Sequence, residues 1–315
     1  MAQEPVSQSA RPENAPSVPA HVHPVPRNGP ALPSENRASS CITLRTPFDH
    51  LSSMREPSKV AREAESWKPI PDPEGRYSSG IPDFDRLLGG GFQRGSMALI
   101  NLDETVVKED IDLLLFPTFL NVLYQSRGIV AILPSRDSPH DFRARLTRFV
   151  TRRRFDSRVR ICDYVGEDEG SPYVVNLNSG GWGPKGRSRT PKEMKGALAK
   201  MVAAEKAVRG NRKKTFLELT AFEVFDTLMG AEDATRLFFH GVKRTRQLGN
   251  LGIGLLSPGV GCAAGVRSMA DTEFHLHRDE VGVIIRGVRP AFSGYVLTAD
   301  LQAGPPHVAF VPRPR

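Results

Sequence analysis

Residues 79–102 read Ser79-Gly80-Ile81-Pro82-Asp83-Phe84-Asp85-Arg86-Leu87-Leu88-Gly89-Gly90-Gly91-Phe92-Gln93-Arg94-Gly95-Ser96-Met97-Ala98-Leu99-Ile100-Asn101-Leu102. Pro82 suits a first helical turn, where it has no N–H to lose. Phe84, Leu87 and Leu88 fall on one side of the helix that follows. Gly89, Gly90 and Gly91 end it, since residues without a Cβ take positive φ angles easily. Arg94-Gly95-Ser96 then turns the chain into Met97–Leu102, an apolar run of buried-strand length.

Helix, glycine run, turn and strand in this order resemble the opening of the KaiC/RecA-like P-loop ATPases. Members begin Thr/Ser-Gly-Ile-x-x-Leu/Phe-Asp-x-Leu-Leu-Gly-Gly-Gly-hydrophobic-x-x-Gly-Ser, and Ser79 to Ser96 match almost position by position. The resemblance implies an α/β fold: a mostly parallel sheet flanked by helices on both faces. It also implies a Gly-x-x-x-x-Gly-Lys-Ser/Thr phosphate loop directly after the strand. The window there is Leu102-Asp103-Glu104-Thr105-Val106-Val107-Lys108-Glu109. Lys108 stands where the family has its phosphate lysine. Leu102 and Val107 replace the two glycines, and Glu109 replaces the magnesium hydroxyl. A phosphate loop works because bare backbone N–H groups curl around the anion. Asp103, Glu104, Glu109, Asp110 and Asp112 add negative charge around Lys108, which opposes a triphosphate. Lys108 is either a phosphate ligand or a solvated lysine at a helix start.

Outward from this point the chain suggests further elements. A helix is expected from Lys108 to Gln125, with Pro117 inside it, and a buried strand from Gly128 to Pro134. The family's catalytic glutamates stand at the end of that strand; here the residues are Pro134-Ser135-Arg136-Asp137, with Asp137 a poor substitute. Ser138 caps a helix to Phe149. That helix opens a basic run that includes Arg145, Arg148, Arg152, Arg153 and Arg154. The run is either a contact for phosphates or acidic partners, or a solvated face. Phe142, Phe149 and Phe155 fall on its apolar side and belong to the core. A strand candidate at Val159–Tyr164 precedes a Gly-rich insertion at 166–190, where Trp182, Lys185 and Arg187 are candidate nucleic-acid or partner contacts.

Pro191–Arg209 has helical patterning, and Thr215–Leu219 is the next buried strand. In the resembled family this strand carries a magnesium-handling aspartate, and Glu218 occupies that place. It is either a Walker-B-like carboxylate or a buried glutamate paired to an arginine. Helices at Phe222–Leu228 and Ala231–Gln247 follow, then a strand at Gly252–Ser257 and a Gly-rich loop at Val260–Ala270. The chain finishes as an antiparallel meander: Thr272–His277, Val281–Val288 and Gly294–Ala299. By resemblance, Arg286 and Arg289 are candidate contacts in trans with a neighbouring subunit's nucleotide.

Composition sets the remaining expectations. The chain has 315 residues, a net charge of +8, 28 Gly and 26 Pro. Residues 1–75 are Pro- and Ser-rich and poor in aromatics, which suggests a disordered tail with Trp67 as an anchor; 76–303 form the RecA/KaiC-like core, and 304–315 a C-terminal tail. The basic balance favours nucleic acid or acidic proteins. Cys41, Cys162 and Cys262 have no zinc spacing, and so sparse a set suits a reducing, cytoplasmic setting. No apolar run reaches membrane-span length.

The losses at the loop, the hydroxyl and the glutamate pair point to a regulatory or scaffold subunit that does not hydrolyse ATP, in a homo- or hetero-oligomer of RecA-like subunits. It would need no cofactor and no metal, with ATP and magnesium as the weaker alternative. A divergent active ATPase using Lys108, Glu218 and Arg289, and a nucleic-acid-binding module without nucleotide, are the competing readings. The Elongator accessory subunits, which resemble this pattern with a similarly erased loop, are a close precedent. Archaeal gas-vesicle regulators are another branch, and those usually keep the loop glycines.

Overall fold

A computed structural model describes residues 67–164, 170–177, 191–209, 215–300 and 307–313, all within the unit Arg45–Arg315. Trp182, Lys185 and Arg187 lie outside the described residues. So does all of the N-terminal segment except the part from Trp67 onward.

The opening segment holds itself together before it meets the rest of the chain. Strands β1 (Arg76–Tyr77) and β2 (Phe92–Gln93) pair antiparallel around helix α1 (Pro82–Leu87). Asp85 is the hub: Ser78 Oγ donates to it at 2.5 Å and the Ser79 N–H at 2.7 Å. Its own carbonyl accepts from the N–H groups of Gly90 and Gly91. Gly91 has φ +100°, and a Cβ there would sit 2.4 Å from the Tyr77 carbonyl oxygen. Only glycine fits where the two strands and the helix end converge.

Strand β3 (Met97–Leu102) is central in a ten-stranded sheet ordered β12-β11-β10-β9-β3-β8-β7-β4-β5-β6. The other strands are β4 (Gly128–Ile132), β5 (Val159–Asp163), β6 (Val174–Asn176), β7 (Phe216–Ala221), β8 (Leu251–Leu256), β9 (Thr272–Asp279), β10 (Gly282–Arg289), β11 (Ala291–Asp300) and β12 (His307–Pro312). Neighbours from β9 to β6 run parallel; β9 to β12 run antiparallel. The fold is therefore α/β, mostly parallel, with a C-terminal meander of four strands. The fourth, β12, falls in the segment expected to be a tail.

Helices cover both faces, so the central strands are apolar on both sides. Ala98 and Ile100 of β3 join one core with Phe84, Leu114, Phe142 and Phe155. Met97 and Leu99 join the other with Val208, Phe222, Phe238 and Val266. The first layer holds α1, α2 (Lys108–Tyr124), α3 (Pro139–Leu146) and α4 (Arg152–Arg158); the second holds α5 (Pro191–Arg209), α6 (Phe222–Met229), α7 (Ala231–Leu248) and α8 (Ala263–Met269). Helix α2 is buried continuously from Asp112 to Leu123, as an all-round apolar helix must be. Phe142, Phe149 and Phe155 are core residues, at most 4% exposed. Trp67 packs edge-on against Tyr124, ring centroids 5.2 Å apart.

Two local differences stand out against the sequence reading. Thr151 caps a separate helix, α4, inside the basic run. The stretch expected as a Gly-rich loop at Val260–Ala270 contains α8. Among the described residues no helix is long and apolar enough to cross a membrane.

Candidate functional site

A cleft opens where β3, β4, β7 and β8 end, against the first turns of α2. Its floor is apolar, formed by residues such as Leu102, Ile111, Leu115, Phe142, Leu219 and Leu255. Its polar groups include Lys108, Asp112, Asp137, Glu223 and Ser257, and Arg136 stands exposed beside them.

The loop from Asp103 to Val107 is stiffened by its own side chains. Asp103 accepts hydrogen bonds from the N–H and hydroxyl of Thr105, at 3.0 and 2.9 Å. Those bonds, helped by His277 and His275, hold its carboxyl below the usual range. Asp110 accepts from the Val107 N–H at 3.1 Å and is gripped by the Arg278 guanidinium. No residue from 96 to 124 has a positive φ, so the loop does not form the alternating backbone nest that wraps an anion.

Lys108 finds its partner outside the acid-rich loop. Its Nζ lies 2.7 Å from Asp137 Oδ1. Arg145 bonds the same carboxylate, with Nη2 at 2.6 Å from Oδ2, and also Asp112, with Nε at 2.6 Å from Oδ2. Of the five acids expected to crowd Lys108, Asp110 is neutralised by Arg278 and Asp112 by Arg145. Burial pushes the Asp112 carboxyl up to about 7, against the pull of Arg145. Burial also opposes the charge on Arg145, but the hydrogen bonds it donates to Asp137 and the charge of Asp112 more than offset it.

A second brace joins three strand ends. Glu223, in the first turn of α6, accepts from the Ser135 N–H at 2.9 Å, the Ser135 hydroxyl at 3.1 Å, and the Ser257 hydroxyl. No motif in the sequence singles out this glutamate. An acid in the first helical turn after a buried strand was the available signal.

The proposed site residues scatter as follows. Leu102, Asp103 and Lys108 line the cleft. Val107 is the exposed N-cap of α2, and Glu109 sits near Arg278. Glu218 does not line the cleft. Leu217 and Leu219 face the first core layer, so Glu218 faces the second. There it accepts from Thr245 Oγ1 at 2.9 Å and Asn250 Nδ2 at 3.0 Å. Arg145 is turned inward, its side chain 16% exposed, and so is not a surface contact. Arg154 lies over the Tyr124 ring at 4.2 Å, while Arg148, Arg152 and Arg153 are exposed. Arg289 pairs with Glu273 at 3.2 Å, and Arg286 is exposed on β10. Among the described residues no group of three or more His, Cys, Asp or Glu could hold a metal ion.

Comparison with known proteins agrees with this frame. A family model described as GvpD basic region 2 matches residues 66–172. Protein GvpD2 of Halobacterium salinarum is 23% identical over 232 residues, covering 71% of this chain and 44% of that protein. Protein GvpD1 of the same organism is 29% identical over 105 residues, covering 33% of this chain and 20% of that protein. The chain thus spans less than half the length of these curated relatives. The crystal structure of a KaiC-like protein from the hyperthermophilic archaeon Pyrococcus horikoshii OT3 superposes with a TM-score of 0.52 at 13% identity, over 76% of this chain and 100% of that one. Together the matches show a KaiC-like α/β fold and a similarity to GvpD proteins over part of the chain.

Proposed function

We propose that this chain is a RecA-like regulatory subunit whose cleft does not hydrolyse ATP and serves instead as a structural joint. The observation that carries the reading is the pairing of Lys108 with Asp137 at 2.7 Å inside the cleft. A lysine so engaged is not free to draw a phosphate. The residues present also do not fit a magnesium nucleoside triphosphate. The loop before α2 has no positive-φ residue with which to wrap a phosphate, and Glu109 replaces the expected hydroxyl. In-line phosphoryl transfer needs a clamped metal and a positioned water, and the absence of a glutamate pair after β4 weakens the second. Calorimetry with ATP and magnesium on the full chain tests this. The expected result is no binding tighter than about millimolar and no turnover above background. Micromolar affinity with turnover abolished by Lys108→Ala would overturn it.

The partner-facing surface in this proposal is the basic run of α3 and α4. Exposed Arg148, Arg152 and Arg153 favour a polyanion, nucleic acid before acidic protein. Assembly with further RecA-like subunits, through the side that carries Arg286 and Arg289, is part of the same reading.

A further inference from the structure

Two cations from different helices converge on one carboxylate in the cleft. Lys108 Nζ faces Asp137 Oδ1 at 2.7 Å; Arg145 Nη1 reaches the same oxygen at 3.0 Å and Nη2 reaches Oδ2 at 2.6 Å. An ammonium point charge and a guanidinium fork on two oxygens is how a protein grips an external oxyanion. Here the gripped group is covalently part of the chain. The Asp137 side chain is 6% exposed, whereas that of Lys108 is 29% exposed. The cation is therefore the more accessible partner. Glu223 holds Ser135, two residues before Asp137, to the ends of β7 and β8. The carboxylate is thus presented by a braced segment. Asp112 shares Arg145, but burial weakens its charge, which leaves Asp137 as the principal counter-ion.

We propose that Asp137 is a built-in oxyanion surrogate that occupies the Lys108–Arg145 pair and keeps phosphoryl groups out of it. The proposal rests on the non-hydrolysing reading and adds which group occupies the two cations in the cleft. With Asp137 in place, two cations meet two carboxyl groups. Without it they meet Asp112 alone, and the cleft gains one positive charge. In a partly buried setting that charge attracts an anion several times more strongly than it would in bulk water.

Inorganic pyrophosphate is the probe, titrated by calorimetry into the full chain as wild type, Asp137→Asn, and Asp137→Asn combined with Lys108→Ala. Asp137→Asn keeps the side-chain volume and removes the charge. It should bind pyrophosphate at least tenfold tighter than the wild type, and the added Lys108→Ala should abolish the gain. Asp137→Ala replaces it if the asparagine variant does not give a cooperative melt. A folded variant that binds no tighter than the wild type overturns the proposal. So does a wild type that already binds as tightly as the variant, even if ATP turnover is absent. Turnover of ATP by the wild type overturns the non-hydrolysing reading instead, whatever pyrophosphate does.

Discussion

Glu218 lies between two neutral donors, Thr245 Oγ1 and Asn250 Nδ2, with Glu205 of α5 as a nearby like charge. Burial first, and Glu205 second, push its carboxyl from 4.5 up to about 7. Between those values the folded chain holds a proton that the unfolded chain has released. Stability therefore falls as pH rises through that window. Asp112 acts in the same direction, from 3.8 to about 7. Urea unfolding of the wild type between pH 4.5 and 7.5 should show this loss, with Glu218 contributing on the order of 2–3 kcal/mol at most. Glu218→Gln should make the pH profile clearly shallower. A wild-type curve that is flat or rising across the window contradicts the assignment. The same residue shows what a motif comparison misses. Its place in the order of elements matches the family's acidic strand, but the period-two alternation of β7 turns it to the opposite face from the cleft.

Local elements were legible where their chemistry is local. The α1 helix, its glycine stop and the apolar β3 all follow from residues within one or two turns of one another. Ser138 announced the start of α3, and its Oγ accepts from the Asp141 N–H at 3.0 Å. What the sequence could not supply were partners distant along the chain. Arg145 reads as one more member of a basic run until tertiary packing brings it to Asp112, 33 positions earlier. Arg278 closes the loop before α2 from 168 positions away. Glycine positions carry the strongest local constraint, and Gly91 is the sharpest of them. Adding a Cβ there combines φ +100° with a 2.4 Å approach to the Tyr77 carbonyl oxygen. Gly91→Ala should cost about 2 kcal/mol or more, seen as a lower urea midpoint at unchanged slope. Gly89→Ala is the contrast: its φ is +71° but no atom lies within 4 Å, so only the backbone penalty applies, about 1 kcal/mol. Equal losses in the two variants would mean that the packing around Gly91 yields.

At the scale of the molecule, the net charge of +8 does not by itself locate a binding surface. The fold distributes that charge. Within the basic run, Arg143 is tied to Asp156, Arg145 to Asp112 and Asp137, Arg158 to the Ser126 carbonyl and Arg160 to the Asp156 carbonyl. Arg154 is half-buried against Tyr124. What remains for a partner within the run is Arg148, just after α3, with Arg152 and Arg153 at the start of α4, all exposed. This sorting turns a compositional hint into a count of charges. Each arginine that contacts a phosphate releases counter-ions and steepens the salt dependence of binding, by about 0.7 per contact for a single strand. Replacing Arg148, Arg152 and Arg153 together with glutamine should lower the slope of log affinity against log salt by about 2 for a single-stranded RNA. Arg143→Gln, whose guanidinium is held by Asp156, should leave that slope unchanged. Fluorescence anisotropy across a salt series separates the two. A slope that survives the triple replacement would move the polyanion surface off these helices; one reduced equally by Arg143→Gln would mean that the Arg143–Asp156 pair opens to admit the ligand.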